Sequence, residues 1–404
     1  MAGQGLGRRV LEGLGGRAGP VRPPELRTEG GRSASRLELF FDLAFVLVVA
    51  ELAVALREDV TWHRFGVFAG LFATVWWSWV GSTLYANRFD HDDVVYRLYK
   101  LASMAAVVGL AASASEATGR RFAVFVVCQL LVRLVLALQY HRAYRHVPEA
   151  RPVTRLYLAG ALAGAALWAL SLAVPRPVGF ALWAAAVLVE ALVPLLATRS
   201  SADVPLHVEH LPERFALFVI LVLGEPVAGV ARGLYDADWS GAALPVAVLA
   251  FTLAAGLWWS WFDLAGARAK HLLDEAGRSN GAHAHDVFVF GHLPLTLALA
   301  TVGAGVELAV VEAGAGEVPA GTRLLVAGGV AAYLASASVT ASVMTGEVRR
   351  GWWWPLLAAA VALLDALLEL PAVAVLGALA ALVGAVVVAG LVERSHGRLA
   401  TEEV

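Results

Sequence analysis

The sequence predicts an all-α integral membrane protein of about 12 transmembrane helices, arranged as two six-helix parallel repeats with both termini cytoplasmic. Three observations carry that reading. Hydrophobic residues make up 59% of the 404 positions and charged residues only 16%, with a mean hydropathy of +0.69, which is more apolar surface than a soluble fold can bury. Apolar runs of about 20 residues, the length that crosses a hydrocarbon core as a helix, recur along the whole chain. A tryptophan-rich string occurs twice, as VWWSWV around Trp76 to Trp79 and as LWWSWF around Trp258 to Trp261.

In chain order, residues 1–36 are rich in Gly and Arg and lack the apolar core of a signal peptide, so they are expected to stay on the mature chain as a disordered basic cytoplasmic arm. The first repeat, 37–200, holds apolar spans at 37–56, 65–86, 95–115, 122–140, 155–174 and 179–197. The second, 207–392, holds spans at 212–231, 241–262, 287–311, 323–344, 353–370 and 371–391, followed by a cytoplasmic tail at 393–404. The last two spans are separated only around Pro371, so one kinked or re-entrant segment is the alternative there. A cytoplasmic N-terminus puts most of the 31 Lys and Arg residues on the inner side, among them Arg142, Arg145, Arg151 and Arg155 in one loop. Within the opening helices Phe41, Leu43 and Glu51 fall opposite Phe215, Leu217 and Glu225 at a constant offset. Six helices per copy is an even number, so both copies enter from the same side and relate by an axis along the membrane normal.

Acids inside these spans are costly, and they are the candidates for function. The first span, LELFFDLAFVLVVAELAVAL, carries Glu38, Asp42 and Glu51. Glu38 and Asp42, four residues apart, share a helical face, whereas Glu51 points the opposite way, so the first helix is expected to be enclosed on both sides. Glu225 lies in LGEPV, where Pro226 removes a backbone donor and favours a bend. By the repeat, Glu51 and Glu225 are expected at matching depth and facing one another, where two close carboxylates would share a proton. Glu38, Asp42, Glu51, Glu225 and Glu307 are therefore the proton- or ion-binding candidates. Arg133 sits in the middle of the fourth span and needs an acid such as Asp42, Glu190 or Glu307; a structural ion pair fits it better than a substrate clamp. Arg133, Glu190 and Arg214 form the buried ion-pair set. Asp365 and Glu369, in the eleventh span, are expected near the outer interface with Glu307. The repeated tryptophans are expected to form an aromatic belt at the inner interface.

The remaining motifs exclude more than they propose. Gly3, Gly5 and Gly7 have the wrong spacing for a dinucleotide fingerprint, and no nucleophile elbow occurs. His91 to Asp93 and His283 to Asp286 have ligand-like residue types but read better as solvated loops, and HVEH at His207 to His210 lacks zinc-protease spacing. The single Cys128 excludes an internal disulfide. No enzyme activity, metal, cofactor or nucleic-acid partner is expected; the expected surroundings are a lipid bilayer, a small ion or small-molecule substrate, and room for a homo-oligomer.

LELFFDLAFV, the tryptophan pair with its NRFDHDD continuation, and HLPERFALFVILVLGE together resemble the bacterial low temperature requirement protein A family over nearly the whole chain from about Arg36. The resemblance implies a polytopic protein of the bacterial inner membrane linked to growth in the cold, and supplies no reaction or substrate. RLELFFDLAFV is also similar to the R...F-S-D opening of certain potassium-permeable channels built from six-helix repeats, with Arg36, Phe41 and Asp42 in the corresponding places and phenylalanine in place of the serine. Arg214 and Phe218 fit that pattern in the second copy without an aspartate. The function expected first is a proton-coupled secondary transporter using buried carboxylates. A cation channel and a non-transporting scaffold or sensor are the alternatives.

Overall fold

The computed structural model describes residues 21–26, 35–90, 93–200, 210–265, 281–345 and 353–402. It is helical apart from one two-residue antiparallel pairing, β1 (Glu25–Leu26) with β2 (Phe89–Asp90). Among the described residues the first six helices are α1 (Arg36–Arg57), α2 (Trp62–Arg88), α3 (Val94–Ser113), α4 (Phe122–His146), α5 (Arg151–Ser171) and α6 (Arg176–Ser200). α7 (His210–Asp236) and α8 (Ala243–Trp259, continued by a π turn at Ser260–Ala265) follow, then α9 (Gly281–Val311). α10 is built of Ala320–Arg323, a π turn at Leu324–Gly328 and Gly329–Thr345; α11 (Trp353–Leu367) and α12 (Ala372–Glu402) close the chain. Eleven of these are long and apolar enough to span a bilayer, and α11 is a shorter apolar helix of 15 residues. The chain is thus a multi-pass membrane protein whose surroundings are lipid.

Residues 368–371 leave the helical path, so two helices flank Pro371 rather than one bent segment. The break is tied down where the Val318 N–H donates to the Leu370 carbonyl at 3.1 Å. Pro226, in contrast, lies inside α7, which continues through it, and Pro194 and Pro294 do the same in α6 and α9. In a membrane helix the freed backbone groups find partners on neighbouring helices, so proline need not end the element.

The described residues fall into two compact units, 1–48 with 73–213 and 49–72 with 214–404. In the first unit the α4–α5–α6 seam is aromatic: Phe122 stacks on Trp183 at 4.9 Å, and Trp183 also meets Trp168 at 4.9 Å while its indole donates to Ser171 Oγ at 3.0 Å. α5 approaches α6 through Gly160 and Gly164; a Cβ at Gly160 would lie 2.3 Å from Val193, and one at Gly164 only 2.1 Å from Glu190 Oε1. This is the small-residue packing that lets membrane helices touch without a hydrophobic driving force. α3 meets α4 in the same manner, with Cys128 filling the space over Gly109, where a Cβ would come 2.5 Å from its sulfur.

In the second unit α7 and α9 are pressed backbone to backbone. A Cβ on Gly229 would lie 2.8 Å from the Gly303 carbonyl, one on Gly233 2.9 Å from the Glu307 carbonyl, and one on Gly303 2.9 Å from the Pro226 nitrogen. That contact brings Glu225 of α7 and Glu307 of α9 to one place. His292 of α9 is buried among the rings of Phe215, Phe288 and Trp261, and Tyr333 joins α10 to α8 through Ser260 at 2.8 Å.

Candidate functional site

In the first unit, Glu38 is the third residue of α1 and closes a reciprocal capping box with Ser35. Its carboxylate accepts from the Ser35 N–H at 2.8 Å while the Ser35 hydroxyl accepts from the Glu38 N–H at 3.3 Å, so it satisfies the orphan donors at the start of α1. Asp42, one turn on, is fully buried and accepts a hydrogen bond from the Trp79 indole at 2.8 Å. That tryptophan belongs to the first repeated string, and the belt expected of it is corrected here: Trp76, Trp77 and Trp79 are buried, whereas in the second string Trp258 and Trp259 are exposed and Trp261 is buried. An indole N–H that finds a buried carboxylate gains more than one left at the interface, because that carboxylate has to be satisfied.

Of the three acids offered as partners for Arg133, Glu190 is the one in contact. Nε and Nη2 of Arg133 donate to its two carboxylate oxygens at 2.7 and 3.1 Å. The remaining edge donates to Ser78 Oγ at 3.1 Å, to the Gln129 carbonyl at 3.3 Å and to the Gln129 side-chain oxygen, and the guanidinium lies over the Trp168 ring at 5.1 Å. A cavity of about 30 Å³ adjoins this pair, bounded by Trp77, Ser78, Leu136, Tyr157 and Pro194, enough for one or two waters and for no larger solute. Arg133 is thus held on both edges of its guanidinium, the fork by Glu190 and the other edge by Ser78 and Gln129. Arg214 is fully buried in the second unit.

Before α3, Asp93 caps the helix by accepting from the Tyr96 N–H at 3.0 Å, takes both Nη groups of Arg142 at 3.0 and 2.6 Å, and accepts from the Arg22 N–H at 3.2 Å. Burial raises the Asp93 carboxyl, but Arg142 and the two backbone donors outweigh it and hold it below its ordinary range. Arg142 also donates to the Arg22 carbonyl, which pins the β1 segment. His91 and Asp92 lie outside the described residues, as do His207 to Glu209 and the side chain of His283. Among the described residues no three His, Cys, Asp or Glu side chains gather in a metal-binding group.

Among the described residues the densest charge cluster lies in the second unit. Glu307 bridges two arginines, one oxygen 3.0 Å from Arg57 Nε and the other 2.5 Å from Arg232 Nε. Glu225 meets the same pair, its Oε1 being 2.5 Å from Arg232 Nη2 and 3.5 Å from Arg57 Nη1. Side-chain exposure is 10% or less for Arg57, Glu225 and Glu307, and 36% for Arg232. Two acids opposite two arginines need no shared proton for charge balance, which changes the expected chemistry: each carboxylate has a cation of its own to release. Sequence reading placed Glu225 and Glu307 among the candidates and missed both arginines. Arg232 is seven residues after Glu225, two turns on along the same face, and that spacing was the available signal.

Glu51 requires a correction. It is exposed, at the end of a stripe on α1 that runs through Phe40, Leu43 and Leu47, all about half exposed. The helical geometry that sets Glu51 opposite Asp42 holds, but only the Asp42 face is covered, so Glu51 does not share a site with the buried Glu225. Asp365 is buried and Glu369 exposed.

Comparison with known proteins adds the following. The family model for the bacterial low temperature requirement A protein (LtrA) matches residues 33–388, most of the chain. An uncharacterized protein of Rhizobium meliloti (strain 1021) is 26% identical over 273 residues, covering 65% of this chain and 66% of its own, just under two thirds of its length.

Proposed function

Given that this chain belongs to the bacterial low temperature requirement A family, we propose that it is a proton-coupled secondary transporter of the bacterial inner membrane in which Glu225 and Glu307 are the proton-accepting carboxylates. The observation that carries the reading is that two buried acids on α7 and α9 share the same two arginines. A carboxylate that takes a proton loses its hold on a guanidinium, so proton uptake switches the network between two discrete contact sets. Coupling of a proton to a conformational change needs such a two-state element. The proposal includes two six-helix parallel repeats with both termini cytoplasmic. Supporting the duplication, Lys100 Nζ lies 4.0 Å from the Phe41 ring centroid in the first unit, and His292 lies 4.8 Å from the ring of Phe215, the counterpart of Phe41, in the second.

The test is a proteoliposome assay with a pH-sensitive dye inside and anionic, cationic or neutral small solutes added outside. Proton entry that depends on one solute class is expected, and Glu225→Gln with Glu307→Gln should abolish it; because the pair strands two arginines, each variant is scored only once its unfolding transition shows it folded, and the single variants Glu225→Gln and Glu307→Gln are measured beside it. Proton entry stimulated by no solute class, or retained in full by the double variant, overturns the reading. Cold growth of a deletion strain gives a substrate-free check, and full complementation by the double variant would move the preference to a scaffold role.

A further inference from the structure

Resting on the reading that Glu225 and Glu307 take up protons, we infer that the substrate moving with those protons is a small carboxylate anion, bound by Arg57 and Arg232 in the seat that Glu307 fills at rest. Glu307 itself defines that seat. One planar carboxylate spans both guanidiniums, with an oxygen at 3.0 Å from Arg57 Nε and the other at 2.5 Å from Arg232 Nε. A ligand that replaces it must set one oxygen against each Nε, which the two oxygens of a single carboxylate do.

Charge sets the sign of the ligand. An arginine keeps its proton at any physiological pH, so protonating both acids leaves two positive charges in a largely buried place, with the exposed Asp236 at the end of α7 as the further acid acting on Arg57. Uncompensated buried charge is strongly unfavourable, and an anion is the one class of solute that removes the problem. A cation would add to it and a neutral solute would leave it. Spare donor capacity is already present: Arg57 Nη1 is buried and makes no hydrogen bond among the described residues, its nearest acid oxygen being at 3.5 Å. Arg232, at 36% exposure, is the member of the cluster through which a solute can arrive.

The cycle balances. Two protons enter and convert Glu225 and Glu307 to neutral acids; a dicarboxylate then puts one carboxylate in the seat Glu307 leaves and its second where Glu225 met the same arginines, so that the loaded network carries the same net charge as the resting one. Loss of the two protons on the other side restores both carboxylates, which compete for the arginines and expel the anion.

The experiment uses the full-length purified protein in detergent, with succinate as probe and choline and glycerol as cationic and neutral controls. Succinate is expected to raise the unfolding temperature at a mildly acidic pH that lies above the range in which its own carboxyls take up protons, and to lose that effect at alkaline pH. The variant carrying Glu225→Gln and Glu307→Gln should bind succinate with the same Kd at both, because its arginines are free throughout. Arg57→Gln in that background should weaken binding by about tenfold or more. Failure of the folded double-Gln variant to bind succinate at any pH overturns the assignment. The two readings part cleanly: proton entry driven by choline or glycerol would keep proton coupling and remove the anion, whereas succinate binding that ignores pH in the unaltered protein would keep the anion and remove proton coupling.

Discussion

Two ion pairs of the first unit, Arg133 with Glu190 and Asp93 with Arg142, each tie a measurable property to a single residue. A guanidinium in the middle of an apolar span demands an acid, and that much follows from desolvation; which of three acids answers depends on which helix packs alongside, and Gly164 settles it by letting Glu190 reach across. Removing one partner strands the other, so Arg133→Leu is expected to destabilise the protein by about 3–5 kcal/mol. Adding Glu190→Met should recover much of that loss, and a double-mutant cycle of thermal unfolding in detergent measures the recovery. Asp93 yields a pH prediction. Its folded carboxyl titrates below its unfolded value, so its stabilising contribution is present above the unfolded value of about 3.9 and is lost as pH falls through the lower, folded one. Asp93→Asn keeps a capping side chain but no charge, so its deficit against the unaltered protein should be full at neutral pH and should vanish in acid; unfolding curves across that range decide it. Arg57 and Arg232 escaped the sequence because arginines near span ends ordinarily reach for headgroups; Arg232 carries only its two-turn spacing from Glu225 as a sign, and nothing local marks Arg57. Glu51 failed for a related reason: a helical wheel fixes relative faces but not which face a neighbour covers.

At the scale of elements, glycine spacing carries much of the architecture. Gly303→Ala would push a methyl group to 2.9 Å from the Pro226 backbone and 2.8 Å from Glu225 Cγ, and backbone cannot rotate aside. It should cost about 1–3 kcal/mol and disturb the charge cluster, whereas Gly224→Ala, on the same α7 as Glu225 but with nothing within 4 Å of its Cβ, should be neutral or mildly stabilising. Thermal unfolding of the pair in one detergent gives the comparison. The start of α1 offers a cleaner separation of roles. Ser35→Ala should cost about 1 kcal/mol, while Glu38→Gln should cost little because glutamine also closes a capping box. A large loss from Glu38→Gln would return Glu38 to the ion-binding candidates. The S-x-x-E signature of that box stands in the sequence as Ser35 and Glu38, at the point where the apolar span begins.

For the whole molecule, the twelve apolar runs were legible because span length is set by bilayer thickness, and even the short α11 kept its apolar character on its way to Pro371. What periodicity could not show is that residues 49–72, the end of α1 with the start of α2, group with the second unit. Orientation gives the last prediction. Asp59→Cys, in the exposed turn between α1 and α2, should react with an impermeant maleimide in intact cells, and Glu149→Cys, in the basic loop before α5, only after permeabilisation; the reverse pattern inverts the topology. Such labelling needs a silent background, and the chain supplies it. Its one thiol is closed off between α3 and α4 against a residue with no side chain to spare, so the unaltered protein is its own blank. The same sulfur is also a native seam gauge: any state of the protein in which that residue begins to react is a state in which α3 and α4 have parted.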